Sequence, residues 1–357
     1  MQKNKLIEST KKINRIGFEV EKELNLECKH ICMICKEKVS SFCKSHSIPH
    51  NIFDHMSLEN DEIIPDYNAA MANILTKIYK GKNNSGIFKL ICKSCDQKYF
   101  SKLDNFDVIG GKWNNELLRL QAQRINLYQV YRLKQFSYTL YKMFDKQFTN
   151  SKIKESKSYI NSQIQYYKET FYKYDNSGKE EFEILFDDVL AYETDFTTVT
   201  VLPMIFNPYL DFMIKKSKTA ILTFESQCLN NKNSFTTVNL SEKQNNIMYL
   251  VVFPYEGKTR VTLFCNKKSI CSVLVKTDFE NLSTDDKLLY ISSSLIILGR
   301  NTYGNHSFKQ KYRSACKIYM KRFSEKYNGN DIPTITTFDI REDYIYLYEN
   351  DINLFHK

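Results

Sequence analysis

The sequence predicts an α+β protein, and three observations carry that expectation. Two Cys-x2-Cys pairs, Cys32/Cys35 and Cys92/Cys95, bracket a segment near the N-terminus. From about Trp113 to Tyr174 the chain contains neither Gly nor Pro and repeats its apolar residues at helical spacing. Beyond residue 178 that texture gives way to short β-branched and aromatic runs bounded by polar turns. The predicted divisions are a cysteine module with a leading helix over 1–111, a basic helical segment over 112–178, and a mainly antiparallel sheet with helices over 179–357.

Taken in order, Ile7, Ile13, Ile16, Val20 and Leu24 approximate a helical stripe. Within the cysteine module, 68–79 (NAAMANILTKIY) reads as a short helix and Lys80–Gly86 (KGKNNSG) as a polar loop. Leu117 through Phe144 supply an apolar series at spacings of two to five. Together with the residues to Tyr174 they give two helices broken near Thr149–Ser151, with a turn at Asp175–Gly178. Strands are expected at Phe196–Leu202, Ile247–Phe253, Thr259–Phe264 and Ile270–Val275, and two closing strands at Thr334–Phe338 and Tyr344–Tyr348. Helices are expected at Asp285–Leu298 and His306–Tyr327.

Scarce Gly (10) and Pro (6) in 357 residues favour long regular elements over linkers. Charged residues run through the first 24 positions, so no leader peptide is expected there. Nor does any run approach the roughly 18 apolar residues of a membrane helix. The expectation is a cytoplasmic chain with no membrane partner. Six of the ten cysteines fall within 28–95. Paired spacing in such a chain points to metal rather than to disulfides.

A Cys-x2-Cys turn lets two thiolates reach one ion. Two such turns complete a tetrahedral, closed and therefore structural site, for which zinc is the natural occupant. Cys32, Cys35, Cys92 and Cys95 are thus the expected metal ligands. Cys28 and His30 remain alternatives for one position, and Cys43 is a spare.

Between the pairs lies Ser45-His46-Ser47-Ile48-Pro49, and Asp96 directly follows the second pair. In order and spacing, residues 28–105 resemble the zinc-stapled ββα module of bacterial HNH endonucleases. The resemblance covers under a quarter of the chain. It implies that His46 is a general base toward the water attacking a phosphodiester. It further implies that Asp96 helps hold a divalent ion such as Mg2+ at the leaving group. Three positions depart from the pattern: Ser45 stands where the family carries an ion ligand, Ile87 where it carries Asn, with Asn83 and Asn84 nearby, and Asp96 where it carries the final His. A degenerate module that only binds nucleic acid or protein is therefore the alternative. In that case His46 is a structural imidazole, and Asp96 and Asp104 are carboxylates at a helix N-terminus.

The net charge of +10 is uneven. Residues 112–174 hold 12 basic and 4 acidic side chains, a net of +8, whereas 175–357 hold 22 and 23. Arg119, Arg124 and Arg132, interleaved with tyrosines, are the expected nucleic-acid contacts, DNA being the expected partner. A solvated helix face is the alternative. No second catalytic set emerges after residue 178, where a protein-binding role is the expectation.

Overall fold

The computed structural model describes residues 30–56, 80–144, 151–191, 196–203, 247–269, 279–298 and 301–305, together with isolated positions elsewhere. The expected helix at 68–79 and the strand Thr334–Phe338 lie outside the described residues. So does the leading helix, apart from Glu19.

The N-terminal module is built from short pieces. Strand β1 (Ser45–His46) leads into helix α1 (His50–Asp54), and β2 (Glu62–Ile63) pairs antiparallel with β3 (Lys80–Gly81). Strand β4 (Ile87–Phe88) pairs antiparallel with β1, and α2 (Lys93–Phe100) and α3 (Phe106–Gly110) follow. Asn105 starts α3 by accepting the amides of Asp107 and Val108, a standard use of a short polar side chain at an N-cap.

Two long helices come next, α4 (Asn115–Phe144) and α5 (Ser151–Ser177). The break expected near Thr149–Ser151 falls almost wholly at 145–150, outside the described residues. The expected turn at 175–178 begins later, because α5 runs on to Ser177 and Gly178 then takes a left-handed φ of 54°.

A five-stranded, fully antiparallel sheet makes the rest: β5 (Phe182–Leu190), β6 (Phe196–Pro203), β7 (Ile247–Tyr255), β8 (Lys258–Asn266) and β9 (Thr302–Gly304), ordered β5-β8-β7-β6-β9. Strands β7 and β8 meet in a two-residue turn, Glu256-Gly257, with φ of 49° and 71°. Positive φ at both positions matches the right-handed twist of the flanking strands. Helix α6 (Thr284–Leu298) lies as expected, and the described positions of the expected helix 306–327 are helical.

Strand β7 explains the layering. It is buried through Pro254, as a continuous apolar run at the centre of a sheet should be. Alternate residues serve opposite faces. Ile247, Tyr249, Val251 and Phe253 join one core with Cys32, Phe88, Trp113, Ile125 and Phe171. Met248, Leu250 and Val252 join a second core with α6 residues Leu288, Ile291 and Leu295. The sheet is thus a central layer, with the cysteine module and long helices on one face and α6 on the other.

Two expected strands are corrected. Ser272, within Ile270–Val275, is helical, because the chain turns sharply after β8 with Ser269 bonded to Asn266 and Ser272 to Ser269. Tyr346 and Leu347 are helical too, with Asn350 donating back to the Tyr346 carbonyl. Conversely, β5 and β9 were not expected as strands. The acidic pair Asp187-Asp188 disguises β5, and β9 is only three residues long.

Candidate functional site

The two cysteine pairs converge. Ligand atoms of Cys32, Cys35, Cys92 and Cys95 all lie within 4.8 Å of one another. Cys35 and Cys92 Sγ are 3.9 Å apart. A tetrahedron with metal–sulfur bonds of about 2.3 Å has edges of roughly 3.8 Å. The four thiols therefore fit a metal ion such as zinc.

The backbone shapes this cluster. Lys36 adopts a left-handed φ of 65°, which closes the first turn so that its amide donates to the Cys32 carbonyl at 2.9 Å. Met33 and Cys43 amides bond the Leu90 and Ile91 carbonyls, tying the first turn to the second. Cys92 stands at the N-terminus of α2, with Cys95 in its first turn, where the helix dipole favours negative sulfur. The Cys92 amide donates to Cys32 Sγ at 3.3 Å. A hydrogen bond from the Ser94 hydroxyl is the main influence holding the Cys92 thiol down to about 6, while burial pushes Cys95 upward. A central cation favours all four as thiolates. Cys43 stands outside the cluster and donates to Asp96 Oδ2 at 3.7 Å. His30 is outside it as well, its ring tilted against Phe42, and Cys28 lies beyond the described residues.

Beside this cluster lies a second constellation. His46 sits on β1 opposite Ile87 of β4. Its ring lies 6.1 Å from that of His50, edge to face. Burial, then the charges of Arg124 and His50, push His46 below the ordinary imidazole value, while Asp104 and Asp96 act the other way. One electrostatic neighbourhood thus contains His46, His50, Asp96, Asp104 and Arg124. Asn83 bonds His50 at 2.8 Å, not His46.

The polar atoms of this neighbourhood are unusually short of protein partners. Buried and without any are His46 Nε2, Asp96 Oδ1, Ser45 Oγ, Asn51 Oδ1 and, on Arg124, Nε and Nη1. Buried polar atoms are ordinarily bonded, and a concentration of exceptions needs an explanation such as a polar ligand, ion or water. No protein-family model, curated protein or solved structure matches this chain.

The arginines do not form the expected surface. At 100° per residue, Arg124 and Arg132 lie about 140° and 220° around the helix from Arg119, so the three share no face. Arg119 is half-buried and weakly bonded to Gln123 and the Tyr174 carbonyl. Arg132 is half-buried. Arg124 is a correction: its side chain is 1% exposed, lies over Phe100 and bonds Asp104 Oδ1 at 2.6 Å. It is directed into the His46 neighbourhood instead of toward bulk solvent. Asp104 is consequently engaged.

Sequence reasoning missed the brace beneath the site. Gly86, at φ 65°, passes so close to Ser47 that a Cβ there would meet Ser47 Oγ at 2.8 Å. Ser47 Oγ in turn accepts a bond from Asn301 at 3.0 Å, both residues being fully buried. Only the polarity of Ser47 and Asn301 hints at this in sequence, since 254 positions separate them.

Proposed function

We propose that this chain is an HNH-like, metal-dependent endonuclease acting on phosphodiester bonds in DNA, with zinc at Cys32, Cys35, Cys92 and Cys95. The observation that carries the reading is His46: a half-buried imidazole whose Nε2 has no protein partner, within electrostatic reach of Asp96, whose Oδ1 also has none. A lowered pKa keeps the ring neutral near pH 7, as a proton acceptor must be. The order β1, β4, α2, with a base on the first strand and a carboxylate on the helix, agrees with the resemblance described above.

In this reading His46 Nε2 accepts the proton of the attacking water. Asp96 would bind a hard divalent cation such as Mg2+. That ion characteristically keeps several waters and takes only one or two carboxylates. Its contribution would be to neutralise charge on the leaving oxygen. Arg124, anchored by Asp104, offers Nε and Nη1 to a phosphate oxygen, the group a planar guanidinium recognises best.

One observation favours the second reading, a degenerate module that binds without cutting. Ser45 occupies the expected ion-ligand position, is fully buried, and offers only a hydroxyl. Nicking of supercoiled plasmid with Mg2+, Mn2+ or Ni2+ separates the two. Cleavage that disappears in both His46→Ala and Asp96→Ala, with zinc retained, supports the nuclease. Binding without cleavage under every metal supports the degenerate module.

A further inference from the structure

On the far side of the first cysteine turn, a groove of about 410 Å³ runs between that turn and the long helices. Its size falls in the range typical of ligand pockets, roughly 300–1,000 Å³. Three lysines from three elements line it: Lys36 of the cysteine turn, Lys134 of α4 and Lys168 of α5. None of the three has an ion-pair partner among the described residues. Lys36 is instead spent on Tyr172, bonding its hydroxyl and lying 3.9 Å over its ring. The nearest acid along α5, Glu169, is held by Gln165 at 2.8 Å. Burial, then the ammonium groups of Lys134 and Lys36, hold the Lys168 pKa below its ordinary value. Three cations gathered without a direct ion pair among the described residues make a positive patch that would attract an anion.

The rest of the lining is different in kind. Ile31, 49% exposed, Phe42 and Leu90 also line the groove and give it an apolar part. An anion alone would not use that part, whereas a nucleotide carries a phosphate on one side and a flat apolar base on the other. An aromatic side chain takes a base only when the base is unstacked. None of the cleft residues His46, Asp96 or Arg124 lines the groove, so it is a separate site.

We infer that the groove bounded by Lys36, Lys134 and Lys168 binds a segment of single-stranded nucleic acid, with phosphate on the lysines and an unstacked base over Phe42. The choice of nucleic acid rests on the function proposed above, while the concentration of charge does not. Lys134 and Lys168 belong to the 112–174 segment that carries a net +8, which assigns part of that excess a place.

The test is fluorescence anisotropy of a labelled dT12 strand on the full chain carrying His46→Ala, without chelator, across a salt series. Lys134→Glu with Lys168→Glu, both half-exposed and so tolerant of change, should lower affinity at least tenfold at low salt. It should also reduce the salt slope by about 1.4, since each single-strand phosphate contact contributes roughly 0.7. Phe42→Ala should weaken binding without altering the slope. Unchanged affinity and slope in the double variant, with circular dichroism showing it folded, would overturn the assignment. Equal competition by a mononucleotide would overturn the strand as ligand, and equal competition by polyglutamate would replace it with an acidic protein. Binding is the readout, so a chain that never cleaves would defeat the nuclease reading and leave this one standing.

Discussion

Cys92 stands at the N-cap position of α2, contributes a sulfur to the cluster, and through its amide steadies the sulfur of Cys32. Cys92→Ser should therefore lower the metal bound per chain, measured by elemental analysis, and lower the midpoint of thermal unfolding. Retention of one metal per chain would show that the cluster is not its site. His46 makes a pH prediction whose sign is fixed by burial. Its folded pKa lies below the unfolded value of about 6.5, so the unfolded chain binds the extra proton first. Stability linked to His46 is complete above about pH 6.5 and declines as pH falls toward the folded pKa. His46→Gln should flatten that acid limb in thermal melts between pH 5 and 7, and an unaltered limb would place the titration elsewhere. Under the proposed chemistry, His46→Ala should also reduce plasmid nicking by about 10²–10⁴-fold, while His50→Ala, its ring already engaged by Asn83, should do far less. The cysteine spacing made this centre readable, because Cys-x2-Cys encodes geometry locally. Arg124 was misread because charge in a helix says nothing about which way it faces until partners such as Asp104, 20 positions earlier, are known.

At the level of elements, one side chain ties the C-terminal end of α3 to the sheet, beside the packing of Phe106 on Phe253 and Tyr255. Arg260 of β8, 4% exposed, donates Nη1 to the carbonyls of Ile109, Gly110 and Gly111, satisfying the C-terminal end of α3. Its remaining nitrogens hold Asp187 of β5, and its guanidinium lies 5.4 Å over Trp113. Arg260→Ala removes several charge-assisted bonds at once, although Ile109 keeps the Trp113 indole N–H and Asp187 keeps the Thr262 hydroxyl, and should cost on the order of 2 kcal/mol in urea unfolding. Lys cannot reproduce the fork, so Arg260→Lys should recover little of the loss. A loss below about 1 kcal/mol in Arg260→Ala would mean that water serves those carbonyls equally well. This contact also explains the reading of β5. Asp187 lowers strand propensity when read alone, yet its partner lies on the adjacent strand, a cross-strand pairing that periodicity does not reveal. The long helices were legible from apolar residues recurring at helical spacing, and β6, β7 and β8 from β-branched and aromatic runs bounded by polar turns.

Across the whole molecule, the first core runs from Cys32 through Trp113, Ile125 and Phe171 to Phe264 and Tyr303, so all three predicted divisions contribute to it. Removing residues 179–357 would take away Phe264 and Phe182, against which Trp113 and Tyr174 pack. A 1–178 fragment should lack near-ultraviolet dichroism and succumb quickly to protease, and a protease-resistant fragment would show that the module folds alone. The bond between Ser47 and Asn301 adds a dimension of time. A ribosome extends a chain by about 5–20 residues per second, so the 254 positions between them take roughly 13–50 s to synthesise. Through that interval the strand bearing His46 lacks its buried brace, and β7, which covers the module, has been completed only near the end. A nascent chain would thus hold its cysteines and His46 before it holds the scaffold that positions them. Under the proposed function, the cleft around His46 would be completed only late in synthesis, once Asn301 has been added.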